Sequence, residues 1–126
     1  MSPFRSDSRY VNLGTWRKNG VMVPTPVWYA PVGAALYAFS TGEAGKVKRL
    51  RNASRAQVAI CDWRGTLLGE WYGANAFLVT DVAERAAAFG ALRRKYGWQM
   101  WLVDAGAWAA RTMATRAVIR IEPAQR

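Results

Sequence analysis

Histidine is absent from this sequence, and cysteine and carboxylates are scarce. The 126 residues include no His, 1 Cys and 8 Asp and Glu, against 18 Lys and Arg. Without histidine the chain cannot form a Ser–His–Asp triad or a His-based acid–base pair. The single cysteine, Cys61, can form no disulfide within the chain and cannot build a zinc site. If the protein is an enzyme, a cofactor must therefore supply the reactive atoms.

We also expect no secretion signal, and the length fits one domain. Residues 1–9 are mostly polar and lack the apolar segment of a signal peptide, so we expect a cytoplasmic protein. With 52% hydrophobic and 21% charged residues, the composition is typical of a globular protein. We predict a flexible tail at 1–8, followed by a single domain at 9–126.

One long uncharged run, Val21–Gly42, could suggest a membrane span. It contains Pro24, Pro26 and Pro31, which would break a helix repeatedly. A hairpin of buried strands accounts for the same run, so we predict no membrane partner. The net charge of +10 still favours anionic partners of some kind, such as phosphate ligands or nucleic acid.

The pattern of apolar residues and turn signals predicts a mainly β, α+β domain whose six antiparallel strands form a barrel. Asn19 and Gly20 indicate a tight hairpin between the first two strands, since both residues tolerate positive φ. The predicted strands are Tyr10–Trp16, Val21–Ala30, Ala35–Ser40, Arg55–Asp62, Trp71–Val79 and Arg116–Glu122.

One main helix follows the fifth strand. Asp81 is its expected N-cap, with Glu84 completing a capping box, and Gly97 ends it. Lys46–Arg51 is predicted as a short helix, and Trp98–Ala110 as either a second short helix or an irregular segment. The core stripe of the main helix is expected to comprise Val82, Ala86, Phe89 and Tyr96.

Two segments are candidate binding sites. Ser40–Arg49 combines small residues, a predicted helix N-terminus and the cations Lys46 and Arg49, a combination suited to a phosphate group. The alternative is a solvated basic helix. Thr25–Trp28 is a flat apolar strand on which an aromatic ring system could pack, or it could be ordinary barrel core.

The order of these segments resembles the FMN-binding split-barrel family, and within it the pyridoxamine-phosphate-oxidase-like branch with its deazaflavin-dependent reductases. The resemblance lies in Thr25–Tyr29, Ser40–Leu50 and Arg55–Asp62. It implies a six-stranded split barrel that binds FMN or a deazaflavin coenzyme at a homodimer interface. It also implies an oxidoreductase that transfers hydride to a small-molecule substrate.

The same resemblance implies roles for individual residues. Ser40 and Lys46 match residues that hold the cofactor phosphate, and Thr41 and Arg49 are their neighbours. Trp71 would reach the ring from the other subunit. The strand expected to line the ring consists of Thr25, Pro26, Val27 and Trp28.

Two other functions remain open: a basic small barrel that binds nucleic acid, and a flavin carrier without catalysis. Nucleic acid is the less favoured partner, because Trp28, Tyr37 and Phe39 lie in uncharged strands rather than among the basic residues.

Tryptophan is abundant, with 7 residues. On a monomer these rings would leave a large apolar patch, which usually marks an interface, so we predict a two-fold homodimer. The residues concerned are Trp28, Trp63, Trp71, Trp98, Trp101 and Trp108.

Overall fold

The sheet has seven antiparallel strands, in the order β2-β1-β5-β6-β7-β4-β3. The computed structural model describes residues 4, 8–41, 54–110 and 116–123. The strands are β1 Tyr10–Trp16, β2 Met22–Trp28, β3 Ala30–Val32, β4 Ala35–Thr41, β5 Arg55–Cys61, β6 Tyr72–Val79 and β7 Arg116–Pro123. The helices are α1 Val82–Tyr96 and α2 Trp98–Ala109.

The mainly β, antiparallel class is confirmed, but the described strands number seven rather than the predicted six. The predicted strand Val21–Ala30 is interrupted at Tyr29, where the chain changes ladder partner: β2 pairs with β1, whereas β3 pairs with β4. The N–H of Tyr29 is donated to the hydroxyl of Tyr96, 3.0 Å away, instead of to a neighbouring strand.

This change of partner closes the sheet on itself. The two edge strands in the pairing order, β2 and β3, follow one another in the chain with a single residue between them. The sheet therefore curls until its edges meet, and the barrel is split where β2 and β4 lie in contact without a ladder.

The predicted hairpin between β1 and β2 is confirmed. Gly20 has φ of +85°, and its N–H donates to the carbonyl of Arg17 at 2.9 Å. The N–H of Arg17 donates in turn to the carbonyl of Val21 at 2.9 Å, which closes the turn.

Two hydrophobic clusters form the core, one inside the barrel and one beneath the helices. Phe4 belongs to the inner cluster and packs edge-on against Tyr72, with ring centroids 5.4 Å apart. The other large inner residues are Val11, Leu13, Val27, Tyr29, Leu36, Val58, Ile119 and Ile121. The outer cluster joins α1 and α2 to the sheet through Ala30, Val79, Ala88, Phe89, Ala91, Leu92, Tyr96, Met100 and Val118.

Helix α1 begins at the predicted N-cap, but the carboxylate of Glu84 bonds to Tyr37 and Arg120 instead of completing the capping box. The carboxylate of Asp81 accepts from the N–H of Glu84 at 2.8 Å, and Gly97 ends the helix with φ of +59°. Of the predicted buried stripe, Phe89 and Tyr96 are confirmed. Val82 is 81% exposed and Ala86 is also exposed, so their predicted place in the core was wrong.

The stripe is centred on Ala88 and Leu92, which are four residues apart and share a helix face. Ala86, two residues before Ala88, lies on nearly the opposite side of the helix. Trp98–Ala109 is helical, which decides between the two structures expected there. Within the described ranges, neither helix has the length and apolarity needed to cross a bilayer.

Candidate functional site

The split between β2 and β4 brings together the two strands that hold the predicted cofactor residues. In the described part of the sheet, β2 pairs only with β1, and the end of β4 pairs only with β7. The segment Thr25–Trp28 and the residues Ser40 and Thr41 are 12 or more positions apart in the chain, yet they belong to neighbouring strands.

The free edge of β2 has an unusual hydrogen-bonding character. Pro24 and Pro26 have no N–H to donate, and they alternate along the strand with Val23, Thr25 and Val27. Prolines fit an edge strand when their nitrogens face away from the neighbouring strand. Because β2 pairs with β1 on one side, the proline nitrogens of β2 face the other side, which is the split. That edge therefore presents carbonyl oxygens, which accept hydrogen bonds, at Pro24 and Pro26.

The predicted ring-lining side chains lie in different environments. Val27 is 7% exposed and packs in the inner core, whereas Thr25 and Pro26 are half-buried. Trp28 turns to the outer layer, where its indole stacks on Tyr96 with centroids 4.4 Å apart and planes 8° apart. One face of the indole is therefore covered by α1.

Tyr96 fixes the junction at which β2 becomes β3. Its hydroxyl accepts from the Tyr29 N–H at 3.0 Å and donates to the carbonyl of Arg9 at 2.6 Å. Lys95 adds a hydrogen bond from Nζ to the Tyr29 carbonyl at 2.8 Å. Burial raises the pKa of the Tyr96 hydroxyl, so it stays protonated and able to donate.

The predicted phosphate segment is described only in part. Ser40 is half-buried and pairs with Ala117, and Thr41 pairs with Arg116 at the start of β7. Lys46 and Arg49, with the predicted helix Lys46–Arg51, lie outside the described residues.

Arginines gather beside this end of β4, around the ring of Phe89. The guanidinium carbons of Arg116, Arg93 and Arg85 lie 4.2, 5.6 and 6.0 Å from the ring centroid. Asp104 of α2 is bonded to two of them, with its oxygens 2.8 Å from Arg93 Nε and 3.0 Å from Arg116 Nη1. The hydrogen bond from Arg93, with a second from Arg116, holds the pKa of Asp104 below its usual value.

Sequence reasoning missed this arginine cluster. Its members come from α1 and β7, and strand pairing alone places Arg116 beside Thr41. Arg85 then joins them by donating from Nη2 to the Arg116 carbonyl at 2.7 Å. Spacing along the sequence contains no signal for such a group, because its members meet only in the folded chain.

Exposed aromatic residues occupy one face of α2. Trp98, Trp101 and Trp108 are 70%, 67% and 75% exposed, and Leu102 on the same side is 52% exposed. The opposite side buries Met100 completely. Trp63, on the loop after β5, is 65% exposed, whereas Trp28 and Trp71 are half-buried.

Within the described ranges, no three or more His, Cys, Asp or Glu side chains lie together in a position to bind a metal ion.

Comparison with solved structures shows the same fold at low sequence identity. The heme storage protein HutZ of Vibrio cholerae superposes with a TM-score of 0.72 at 12% identity, covering 98% of this chain and 87% of that one. A conserved hypothetical protein of Mycobacterium tuberculosis gives 0.71 at 20% identity, covering 99% and 82%. An FAD-binding protein of Mesorhizobium loti gives 0.59 at 21% identity, covering 93% and 80%.

Family assignment comes from the sequence itself. No curated protein matches the chain. The family model described as pyridoxamine 5'-phosphate oxidase, however, matches residues 1–126. The match spans the strands on both sides of the split and agrees with the solved structures of the same fold. The chain therefore belongs to the pyridoxamine 5'-phosphate oxidase family.

Proposed function

We propose that this protein binds a phosphate-bearing flavin-type cofactor, FMN or a deazaflavin coenzyme, at the split between β2 and β4. The observation that carries the proposal is the pairing order, which leaves these two strands in contact without a ladder. Membership of the family supports it, as does the FAD-binding relative.

The residues at the split suit the parts of such a cofactor. The carbonyl edge at Pro24 and Pro26 can accept from a ring N–H, and the apolar surface beside it suits a flat ring. The phosphate would be held by Ser40, Thr41, Lys46 and Arg49. The indole of Trp28 is held in place by its stack on Tyr96, so it would form a rigid side of the pocket for the cofactor ring.

Hydride transfer to or from a small-molecule substrate is the chemistry that such a cofactor supplies when bound. The residues of this chain would bind and orient it, because the sequence has no histidine and its carboxylates are few. Asp104 and Glu84, for example, are engaged by arginines rather than free for proton transfer. We therefore assign no catalytic residue.

A homodimer is part of the proposal. The aromatic face of α2 and the exposed Trp63 offer the apolar surface that a second copy would cover. In such an assembly Trp71 would approach the cofactor from the other subunit.

A carrier without catalysis is the second candidate, and the observation that favours it is a relative whose name describes storage. That relative stores heme. Histidine is the usual protein ligand of heme iron in globins and peroxidases, and this sequence contains none, which favours a flavin-type ligand here.

The test is a titration of the purified full chain with FMN and with the deazaflavin coenzyme, followed by cofactor fluorescence. We expect saturable binding of one of them below roughly 50 μM. Failure of both would overturn the proposal. Binding without turnover of any reductant would leave the carrier, and steeply salt-dependent binding of single-stranded DNA without flavin binding would indicate a nucleic-acid protein.

A further inference from the structure

The arginine cluster, defined as Arg85, Arg93 and Arg116 around Phe89, contains more positive charge than the described residues around it neutralise. All three guanidinium carbons lie within 6.0 Å of one ring centroid. In the described ranges, the one carboxylate bonded to the cluster is Asp104, which is shared between Arg93 and Arg116. Like charges held so close repel each other unless a further anion compensates them.

Arg116 is the most unusual member, because its side chain is buried. It is 6% exposed, and its Nε is buried with no hydrogen-bond partner in the described part of the chain. An unsatisfied donor on a buried charged group is costly, and such groups often await a ligand or ion. Among the described residues, its side chain contacts Asp104 and the faces of Phe39 and Phe89.

The location of the cluster connects it to the predicted phosphate segment. Arg116 pairs with Thr41, the last residue of β4, after which the chain continues into the segment that contains Lys46 and Arg49. Arg85, at the end of the first turn of α1, donates to the carbonyl of Arg116 at 2.7 Å. The start of α1, the start of β7 and the end of β4 thus meet at one end of the barrel.

We infer that the arginine cluster is an anion site that binds a phosphoryl group, with Arg116 as its central ligand. Guanidinium groups match the oxygens of phosphate in geometry as well as in charge. The phosphoryl group has two possible sources, the tail of the cofactor or a free phosphate. Its assignment to the cofactor rests on the proposed function, whereas the anion site itself does not.

The first experiment measures thermal unfolding of the cofactor-free chain in inorganic phosphate and in sodium chloride of equal ionic strength. We expect a saturable rise in Tm with phosphate alone. The apparent phosphate affinity should fall roughly tenfold or more in Arg116→Gln and in Arg85→Gln. Arg94→Gln, which removes an exposed arginine of the same helix, should leave it unchanged.

Variants of Asp104 and Arg116 distinguish an anion site from an ion-pair network that only holds α2 against the barrel. Asp104→Asn removes the competing carboxylate and should strengthen phosphate binding. Arg116→Lys keeps the charge and should retain part of the effect. If the cluster only fastens α2, these variants alter Tm equally in both salts, and that result would overturn the inference.

A second experiment identifies the source of the phosphate by comparing FMN with riboflavin. If the cluster holds the cofactor tail, Arg116→Gln should weaken FMN roughly tenfold or more and leave riboflavin unchanged. If Arg116→Gln leaves the ratio of the FMN and riboflavin affinities unchanged but still weakens binding of inorganic phosphate, the site binds a free phosphate. If the wild type binds phosphate through Arg116 but binds no flavin or deazaflavin, the anion site stands and the proposed function fails.

Discussion

A single hydroxyl group, that of Tyr96, joins three parts of the chain that are far apart in sequence. It bonds to the backbone of Tyr29 and of Arg9, while its ring stacks on Trp28. Tyr29 lies between two strands that pair with different partners, so no ladder satisfies its N–H. The shape of the split therefore depends on one side chain of α1.

Replacing Tyr96 by Phe should destabilise the fold by about 1–3 kcal/mol, because the buried Tyr29 N–H loses its acceptor. The ring stack on Trp28 would remain. Tyr37→Phe is the matched control, since it removes a hydroxyl that bonds Glu84 at 2.7 Å in a half-buried position. Urea unfolding would measure both, and equal losses would contradict the special role of Tyr96.

The thiol of Cys61 is a second buried group with a measurable consequence. Burial, with a smaller effect of the nearby Asp62 charge, raises the pKa of Cys61 from 9.0 to about 11. The unfolded chain loses this proton at lower pH than the folded one, so the thiol favours folding below pH 9. That contribution disappears as the pH rises from about 9 to about 11.

Comparison of the wild type with Cys61→Ala isolates this effect from the titration of lysines and tyrosines. The free energy of unfolding should decline more steeply between pH 9 and 11 in the wild type than in the variant. Parallel curves over that interval would show that the thiol ionises alike in both states.

Lys46 lies outside the described residues, and its role stays a prediction from the resemblance. Lys46→Ala should weaken cofactor binding by about 1.5–3 kcal/mol, as expected for the loss of a hydrogen bond to a charged group. Arg94→Ala removes the same charge from an exposed position of α1. If both variants lose equal affinity in a fluorescence titration, only the general positive field of the protein matters.

At the scale of elements, strand positions could be predicted because alternation and turn residues are local signals. β1 has the predicted bounds, and the turn at Asn19 and Gly20 is where its residue types require it. The break at Tyr29 could not be predicted, since the Tyr96 hydroxyl that permits it is 67 residues away. The arginine cluster was missed for the same reason.

Helix α1 shows the limit of periodicity as a guide. A stripe through Val82 and Ala86 has helical spacing, but the small residues Ala88 and Ala91 are buried instead, together with Phe89, Leu92 and Tyr96. Alanines occur on several sides of this helix, so the sequence pattern alone does not show which of them face the core, and tertiary packing decides it.

Replacement of two glycines by alanine should change the free energy of unfolding in opposite directions. Gly20 has φ of +85°, and a Cβ there would contact nothing within 4 Å. Gly20→Ala should therefore lose about 1 kcal/mol from backbone strain alone. Gly106 lies inside α2, also with open space around a Cβ, so Gly106→Ala should gain about 0.5–1 kcal/mol from helix propensity. Denaturant unfolding with the same sign for both variants would contradict this account.

At the scale of the whole molecule, charge and exposed aromatic surface have opposing effects on self-association. The net charge of +10 makes two copies repel over distances up to the Debye length, about 10 Å at 0.1 M salt. The face of α2 described above favours contact, since its three tryptophans and Leu102 expose roughly 500 Å². A standard interface needs about 800 Å² from each partner, so α2 would supply more than half.

A dimer formed through α2 should therefore have about twice the 14.0 kDa chain mass in light scattering at micromolar concentration, and more completely as salt rises. Trp101→Arg places a charge in the centre of this face and should shift the mass towards that of one chain. Leu68→Arg makes the same change on the loop after β5, where Leu68 is 66% exposed, and should leave the dimer intact.

A wild-type mass of 14.0 kDa with full cofactor affinity would show that the site at the split is complete within one chain. Dissociation by Leu68→Arg alone would place the interface on the loop instead, and the exposed tryptophans of α2 would then need a different partner.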